Sequence, residues 1–222
     1  MSNLTGSEIL FQKFCDKRSI HWRRIPESND EKRPDYFVLA NNQLIVIEIK
    51  QFDLNEREKE IWKKINQEKV TSYFNPAKYR IREKIDTGRK QLKKFSKVPT
   101  LLLLFDNTGG LLGVESNDIL QGMHGNETFK YLVPHQTEFT PILTDHFLGS
   151  GQKLTKERTT YISGIARLVK PNFETEYQIH IFYNKFTENP LDFSVASKLA
   201  NKQFELDANE HGNYSEWSEI KL

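Results

Sequence analysis

Residues 44–50 read L-I-V-I-E-I-K, and this short segment constrains the fold more than any other part of the chain. Its β-branched residues are typical of a buried β-strand. Side chains alternate between the two faces of a strand, so Ile45, Ile47 and Ile49 share one face and Val46, Glu48 and Lys50 share the other. A carboxylate and an ammonium therefore lie together at the end of a buried strand. Burying charges is costly unless they are paired or bind a metal ion, so we expect a specific role for this pair.

The residues before this strand predict that it forms one arm of a β-hairpin. Tyr36–Leu39 is a second candidate strand, and Asn41-Asn42 is a turn signal because asparagine tolerates positive φ. Asp35 precedes the first arm, so the hairpin brings it back towards Glu48. Two carboxylates held this close repel each other. A divalent cation that prefers oxygen ligands, Mg²⁺ or Mn²⁺, relieves that repulsion.

This group of residues predicts a metal-dependent hydrolytic centre. We expect Asp35 and Glu48, helped by the main-chain carbonyl of Ile49, to hold the metal ion. Such an ion binds a non-bridging phosphate oxygen and lowers the pKa of a bound water. Lys50 would orient that water or offset the charge that develops on the phosphate. The expected reaction class is hydrolysis of a phosphodiester.

Arg33-Pro34-Asp35, followed after twelve residues by Glu48-Ile49-Lys50, resembles the motif of the PD-(D/E)xK nuclease superfamily. The resemblance covers roughly residues 7–105. It implies a restriction-endonuclease-like α/β fold, in which helices flank a mixed central sheet. It also implies that Asp35 and Glu48 are metal ligands and that Lys50 is the catalytic lysine.

The same resemblance implies two further site residues. Many members place a glutamate on the first helix near the metal, and Glu8 is the matching candidate here. Some members carry a glutamine on the helix after the motif, which helps to position metal or DNA, and Gln91 fits that place. The tyrosine that often follows four residues later is Phe95 in this chain.

A strongly basic helix is predicted at residues 78–97. It carries nine lysines and arginines against Glu83 and Asp86, so its net charge is 9 − 2 = +7, whereas the whole chain has a net charge of only +2. Such a concentration suits a phosphate backbone, although charge runs are also common on solvated helix faces. The residues predicted to contact nucleic acid are Arg82, Arg89, Lys90, Gln91, Lys93 and Lys94. A smaller basic patch comprises Lys17, Arg18, Arg23 and Arg24.

The rest of the chain predicts one domain over residues 1–222, with its core motifs in 7–105 and closing strands in 160–184. Helices are expected from a cap at Ser7 to about Lys17 and within 53–69. Strands are expected at Thr100–Phe105, Leu111–Val114, Thr160–Val169 and Tyr177–Tyr183. Residues 115–158 carry too many glycines and prolines for an assignment, and residues 205–222 read as an acidic tail that is partly ordered or covers a sheet edge.

Composition indicates where the protein works rather than which reaction it catalyses. One cysteine excludes an intramolecular disulfide, no signal-peptide pattern opens the chain, and no apolar run is long enough to span a bilayer. We therefore expect a cytoplasmic protein without a membrane partner. DNA is the expected partner, and cutting both of its strands would favour a homodimer. A catalytically silent nucleic-acid-binding module of the same fold and a purely structural protein are the competing interpretations.

Overall fold

A computed structural model describes residues 4–28, 31–67, 77–133, 140–171, 174–208 and 214–221. Within them the chain forms five α-helices: α1 Gly6–Lys17, α2 Glu56–Asn66, α3 Ala77–Leu92, α4 Ser116–His124 and α5 Phe193–Leu199. It also forms ten strands: β1 His21–Arg24, β2 Tyr36–Ala40, β3 Gln43–Phe52, β4 Thr100–Asp106, β5 Glu127–Leu132, β6 Ile142–Leu148, β7 Gly164–Val169, β8 Gln178–Tyr183, β9 Lys202–Ala208 and β10 Tyr214–Glu219. The predicted mixed α/β architecture is confirmed.

Eight of these strands form one mixed sheet in the order β1-β2-β3-β4-β7-β8-β9-β10, and β5 and β6 pair separately. The predicted hairpin is confirmed: β2 pairs antiparallel with β3 through Tyr36–Ala40. Asn41 and Asn42 form its turn with φ of 44° and 64°, the left-handed conformations that a tight hairpin turn requires. β4 then pairs parallel with β3 along Val46–Phe52, so β3 lies inside the sheet.

Hydrophobic side chains are buried on both faces of the sheet, as the alternation in β3 predicts. Ile45, Ile47 and Ile49 belong to a core beneath α1 and α5, which also contains the buried thiol of Cys15. Val46 belongs to a second core beneath α3 and α4. Glu48 and Lys50 are therefore on the α3 side of the sheet, in line with Val46.

Helices α1 and α3 differ in detail from their predicted bounds. The N-cap of α1 is Thr5 rather than Ser7, because the Thr5 hydroxyl accepts from the Glu8 N–H and the Glu8 carboxylate accepts from the Thr5 N–H in return. α3 ends at Leu92 and continues only as a 3₁₀ turn over Lys93–Phe95. The predicted strand at Leu111–Val114 is wrong, since those residues form bends and irregular structure.

Two segments have more structure than their sequences indicated. Residues 115–158 contain α4 and the antiparallel β5–β6 hairpin. In the segment predicted as an acidic tail that is partly ordered or covers a sheet edge, the described residues form strands: β9 pairs parallel with β8, and β10 pairs antiparallel with β9 at the edge of the sheet. β1 was also missed, and it contains two members of the smaller basic patch, Arg23 and Arg24. Among the described residues, no helix is both long and apolar enough to cross a membrane.

Candidate active site

Asp35 is held opposite the C-terminal half of β3 by two main-chain contacts. Its N–H donates to the Ile47 carbonyl over 3.1 Å, which extends the β2–β3 ladder by one residue. Its Oδ2 accepts from the Ile49 N–H over 2.7 Å. Because the N–H and C=O of one strand residue point to the same side, the Ile49 carbonyl is also directed towards Asp35. The hairpin therefore brings the Asp35 carboxylate beside Glu48, as predicted.

Glu48 is the most unusual polar residue of the site. It is only 1% exposed, and within the described ranges its Oε2 has no hydrogen-bond partner. The ammonium of Lys50 forms an ion pair with Oε1. The pKa of Glu48 is raised to about 8, chiefly by burial and also by the charge of Asp35, while Lys50 acts in the opposite direction.

Asp35 responds to the same environment. Burial raises its pKa to about 6, while the hydrogen bond from the Ile49 N–H lowers it and the charge of Glu8 raises it. The fold therefore places two carboxyl groups where their common ionisation is unfavourable. A divalent cation is the ligand that such a pair accepts most readily, because it stabilises both charged forms together.

Lys50 is oriented by a short chain of hydrogen bonds. Its Nζ donates to Gln91 Oε1 over 2.9 Å, and Gln91 Nε2 donates to the Arg33 carbonyl over 2.9 Å. Gln91 lies on α3 and Arg33 directly precedes Pro34 and Asp35. The glutamine therefore connects the lysine to the start of the motif, which fixes the ammonium against the Glu48 carboxylate.

Gly88 explains how α3 comes so near to these residues. A Cβ at this position would lie 2.6 Å from Leu102 Cδ1 and 3.6 Å from Glu48 Cγ. Real Cβ atoms do not approach other atoms as closely as the first distance, so any larger residue here would require the buried Leu102 side chain to move aside. The sequence shows Gly88 as a weak position in a helix, whereas in the fold it allows α3 to cover Glu48.

A cavity of about 620 Å³ opens onto this group and is lined by Asp35, Lys50 and Gln91. Its other walls include the basic residues Arg24, Lys32 and Arg33. A cavity of about 670 Å³ lies at the opposite end of β3, beside Gln43 and Tyr183, but it lacks a pair of buried carboxylates. The chemistry therefore favours the cavity at Asp35 as the functional site.

No protein-family model, curated protein or solved structure matches this chain. The assignment of a function therefore depends on the residues of the site and their geometry.

Glu8 is near this group but has other partners. Its Oε2 accepts from the N–H and the hydroxyl of Thr5, each over 2.8 Å, and its Oε1 lies 3.5 Å from the Arg24 guanidinium. Within the described part of the chain, no three or more His, Cys, Asp or Glu side chains are grouped so that they could hold a metal ion together. The structure therefore brings Asp35 and Glu48 together and leaves Glu8 in the cap of α1.

The basic residues predicted to contact nucleic acid differ in whether they have protein partners. Arg82 donates to the Gln121 carbonyl and to Asn126 Oδ1, each over 2.8 Å, and so fastens α3 to α4 and the start of β5. Arg89 pairs with Asp86 over 3.2 Å, and Lys94 pairs with Glu31 over 2.5 Å. Lys90 and Lys93 are exposed. Arg82 therefore contributes to the packing of α3 against its neighbours, whereas Lys90 and Lys93 are open to solvent.

Sequence reasoning counted Lys84 among the charges of α3 but did not single it out. Lys84, Gly88 and Gln91 follow the spacing i, i+4, i+7, which places them on one face of a helix. A Cβ at Gly88 would lie 3.6 Å from Glu48 Cγ, and Gln91 of the same face accepts from Lys50. The signal that distinguishes Lys84 from the other lysines is therefore its helical phase relative to Gln91.

Proposed function

We propose that this protein is a divalent-metal-dependent nuclease that hydrolyses phosphodiester bonds of DNA, as its resemblance to the PD-(D/E)xK superfamily implies. The observation that supports this proposal most strongly is the Glu48 carboxylate. It is buried beside Asp35, the Lys50 ammonium pairs with its Oε1, and within the described residues its Oε2 has no hydrogen-bond donor. Two neighbouring buried carboxylates with one paired ammonium are costly to ionise together, and a metal ligand role accounts for that cost.

Asp35 and Glu48, with the Ile49 carbonyl, are the residues that would hold Mg²⁺ or Mn²⁺. Two protein carboxylates suffice, because Mg²⁺ usually keeps several waters and takes its remaining ligands from substrate phosphates. When bound, the ion supplies Lewis-acid activation of the phosphate and a more acidic water. The donor set is composed of hard oxygens, which fits these ions and not Zn²⁺, whose protein sites favour nitrogen and sulfur.

Lys50 has two tasks in this mechanism. In the resting protein its ammonium neutralises part of the Glu48 charge. When substrate is present, the same ammonium would donate a hydrogen bond to the attacking water or to the phosphate, where negative charge develops. Gln91 accepts a hydrogen bond from one of the three N–H groups of the Lys50 ammonium and so holds the lysine at the cavity. Arg24, Lys32 and Arg33 around the cavity would attract the phosphate backbone.

A cleavage assay tests this function. The protein is incubated with supercoiled plasmid, single-stranded DNA, branched DNA and RNA, each with Mg²⁺, Mn²⁺ or EDTA. Wild type is compared with Asp35→Asn and Lys50→Met, and with Lys63→Met as a control that removes an exposed lysine of α2. We expect metal-dependent cleavage of DNA that falls at least about 100-fold in the first two variants, the usual effect of removing a transition-state contact, and is unchanged in the control.

Two outcomes would contradict the proposal. Cleavage that persists in EDTA, or that survives both Asp35→Asn and Lys50→Met, would exclude this site as its source. Binding of DNA without cleavage under any metal condition would favour the catalytically silent nucleic-acid-binding module. Cleavage of RNA alone would support the same metal-dependent reaction but would contradict DNA as the substrate.

A further inference from the structure

Lys84 lies on the face of α3 that covers the active-site end of β3. Its ammonium is 5.5 Å from the centroid of the Phe52 ring. Phe52 follows Glu48 and Lys50 at alternate positions of β3, so all three side chains leave the same face of the strand. Lys84 therefore lies near the C-terminal end of β3, over the same face of the strand as Glu48 and Lys50.

Lys84 is surrounded by charges of both signs. Partial burial lowers its pKa, as do the charges of Lys50 and Arg80, whereas the charges of Asp53 and Glu83 raise it. No carboxylate forms an ion pair with Lys84 in the part of the chain that the structure describes. The fold thus holds a partly buried ammonium without an ion-pair partner, and an anion bound there would relieve this cost.

Arg80 shows what a structural cation in this region looks like. It also lies 5.5 Å from the Phe52 ring centroid, but its guanidinium pairs with the fully buried Glu58 over 3.0 Å and donates to the Asp53 carbonyl over 2.7 Å. Asp53 in turn accepts from the side-chain amides of Gln51 and Asn107. These acceptors thus have other donors, and within the described residues the Lys84 ammonium makes no hydrogen bond, so its donors are available for a ligand.

We propose that Lys84 forms a phosphate-binding subsite for the nucleic-acid backbone, next to the phosphate that is cleaved at Asp35 and Glu48. The lysine is a flexible point charge, which suits contact with a phosphate group that carries no sequence information. The subsite rests on the proposed nuclease function, and it specifies a substrate longer than a single phosphodiester. Lys84 acts on binding, and the chemical step is left to Lys50.

Substrate length separates this role from a general effect on the fold. An oligonucleotide offers a second phosphate to Lys84, whereas thymidine 5′-p-nitrophenyl phosphate offers one phosphodiester only. We expect Lys84→Gln to raise KM for the oligonucleotide about tenfold, the cost of one charge-assisted contact, with kcat almost unchanged. The same variant should hydrolyse the small ester at the wild-type rate, and Lys84→Arg should retain most of the oligonucleotide affinity.

Binding without catalysis gives a second readout. A fluorescent single-stranded oligonucleotide is titrated in EDTA at several salt concentrations, with wild type, Lys84→Gln, Lys84→Arg and the control Lys63→Gln. Lys84→Gln should bind about tenfold more weakly and should lower the slope of log affinity against log salt by about 0.7, the value for one lost contact with a single strand. Lys63→Gln should match wild type in both quantities.

The outcomes separate the subsite from the nuclease function. If Lys84→Gln is folded by its thermal melt yet binds within twofold of wild type with the same salt slope, the subsite is refuted while metal-dependent cleavage can stand. If binding depends on Lys84 but wild type never cleaves, the nuclease proposal fails and the subsite stands. A loss of small-ester hydrolysis equal to the oligonucleotide effect would also refute the subsite, because Lys84 would then act on the chemistry.

Discussion

Replacing Glu48 by glutamine is expected to stabilise the metal-free protein, although it removes a central residue of the site. Burial raises the pKa of Glu48 from 4.5 to about 8. A carboxyl group with a raised folded-state pKa stabilises the fold fully below its unfolded pKa, and this contribution is lost as pH rises towards the folded pKa. The Glu48 contribution therefore disappears between about pH 4.5 and pH 8.

The size of the effect follows from the width of this window. Each unit of pKa difference corresponds to about 1.4 kcal/mol, so the wild type loses up to about 4 kcal/mol between pH 4.5 and pH 7.5. Glutamine does not titrate, so the variant does not lose stability in this way as pH rises. The variant leaves Lys50 without its ion-pair partner, which offsets part of the gain. We therefore expect a net stabilisation of about 1–3 kcal/mol near pH 7.5, or a rise in Tm of roughly 2–10 °C for a chain of this size.

Thermal melts in EDTA between about pH 5 and pH 8 measure this difference. The gain should be largest at the alkaline end and should vanish near pH 5, and Glu60→Gln on the exposed side of α2 is the matched control. Added Mg²⁺ should raise the Tm of wild type and leave that of Glu48→Gln unchanged, because only the wild type retains both carboxylates. A variant that is less stable than wild type at every pH in EDTA would refute the reasoning, since Glu48 would then be a net stabilising residue.

Three further predictions concern the supports of the site and one buried histidine. Gly88→Ala should lower the free energy of unfolding by up to about 2 kcal/mol, because displacing the buried Leu102 side chain costs more than the roughly 1 kcal/mol that alanine gains in helix propensity, and a melt with a raised Tm would contradict the close packing of α3. Gln91→Leu should reduce the DNA cleavage rate about tenfold with normal metal binding, because Lys50 loses its orienting acceptor; an unchanged rate in a cleavage time course would remove Gln91 from the site. Burial lowers the pKa of His124 to about 4, so the unfolded chain takes up a proton first and stability should fall by up to about 3 kcal/mol as pH drops from 6.5 to 4. His124→Phe should flatten that part of the pH profile of unfolding, and a profile as steep as that of wild type would contradict this origin.

The hairpin and its charged residues were predictable because their signals are local. The alternation within β3 identifies which side chains share a face, and the Asn41-Asn42 turn determines how the chain returns. Together they bring Asp35 and Glu48 near each other without knowledge of the other strands. The resemblance indicated Gln91 as a residue that helps to position metal or DNA, but its contact with Lys50 was not predicted, since residues on β3 and α3 are far apart in sequence.

Residues 202–208 show why β9 and β10 were missed. This segment alternates Phe204 and Leu206 with Glu205 and Asp207, which is the pattern of a half-buried strand. The outward acidic residues dominated its composition and indicated a tail. Pairing with β8 is a contact between distant parts of the chain, and composition alone does not report it.

The tertiary roles of Gly88 and Arg82 were not predictable for a related reason. Helix propensity describes glycine in an isolated helix, where it is unfavourable. It does not report that Leu102 of β4 lies so near Gly88 that an added Cβ would be 2.6 Å from Leu102 Cδ1. Similarly, Arg82 was predicted to contact nucleic acid because of the high net charge of its helix. In the fold its guanidinium donates to the Gln121 carbonyl of α4 and to Asn126 Oδ1 in the following loop. Both roles depend on tertiary contacts that the sequence does not display.

The central claim is that Asp35 and Glu48 bind a divalent cation, and a Mn²⁺ titration followed by electron paramagnetic resonance tests it most directly. Free Mn²⁺ gives a sharp signal that decreases on binding. Metal-free wild type should bind Mn²⁺ at millimolar or lower concentrations, and Mg²⁺ should compete for the same site. Binding to Glu48→Gln should be at least about tenfold weaker. Equal binding by wild type and Glu48→Gln, or no binding by wild type, would contradict the account.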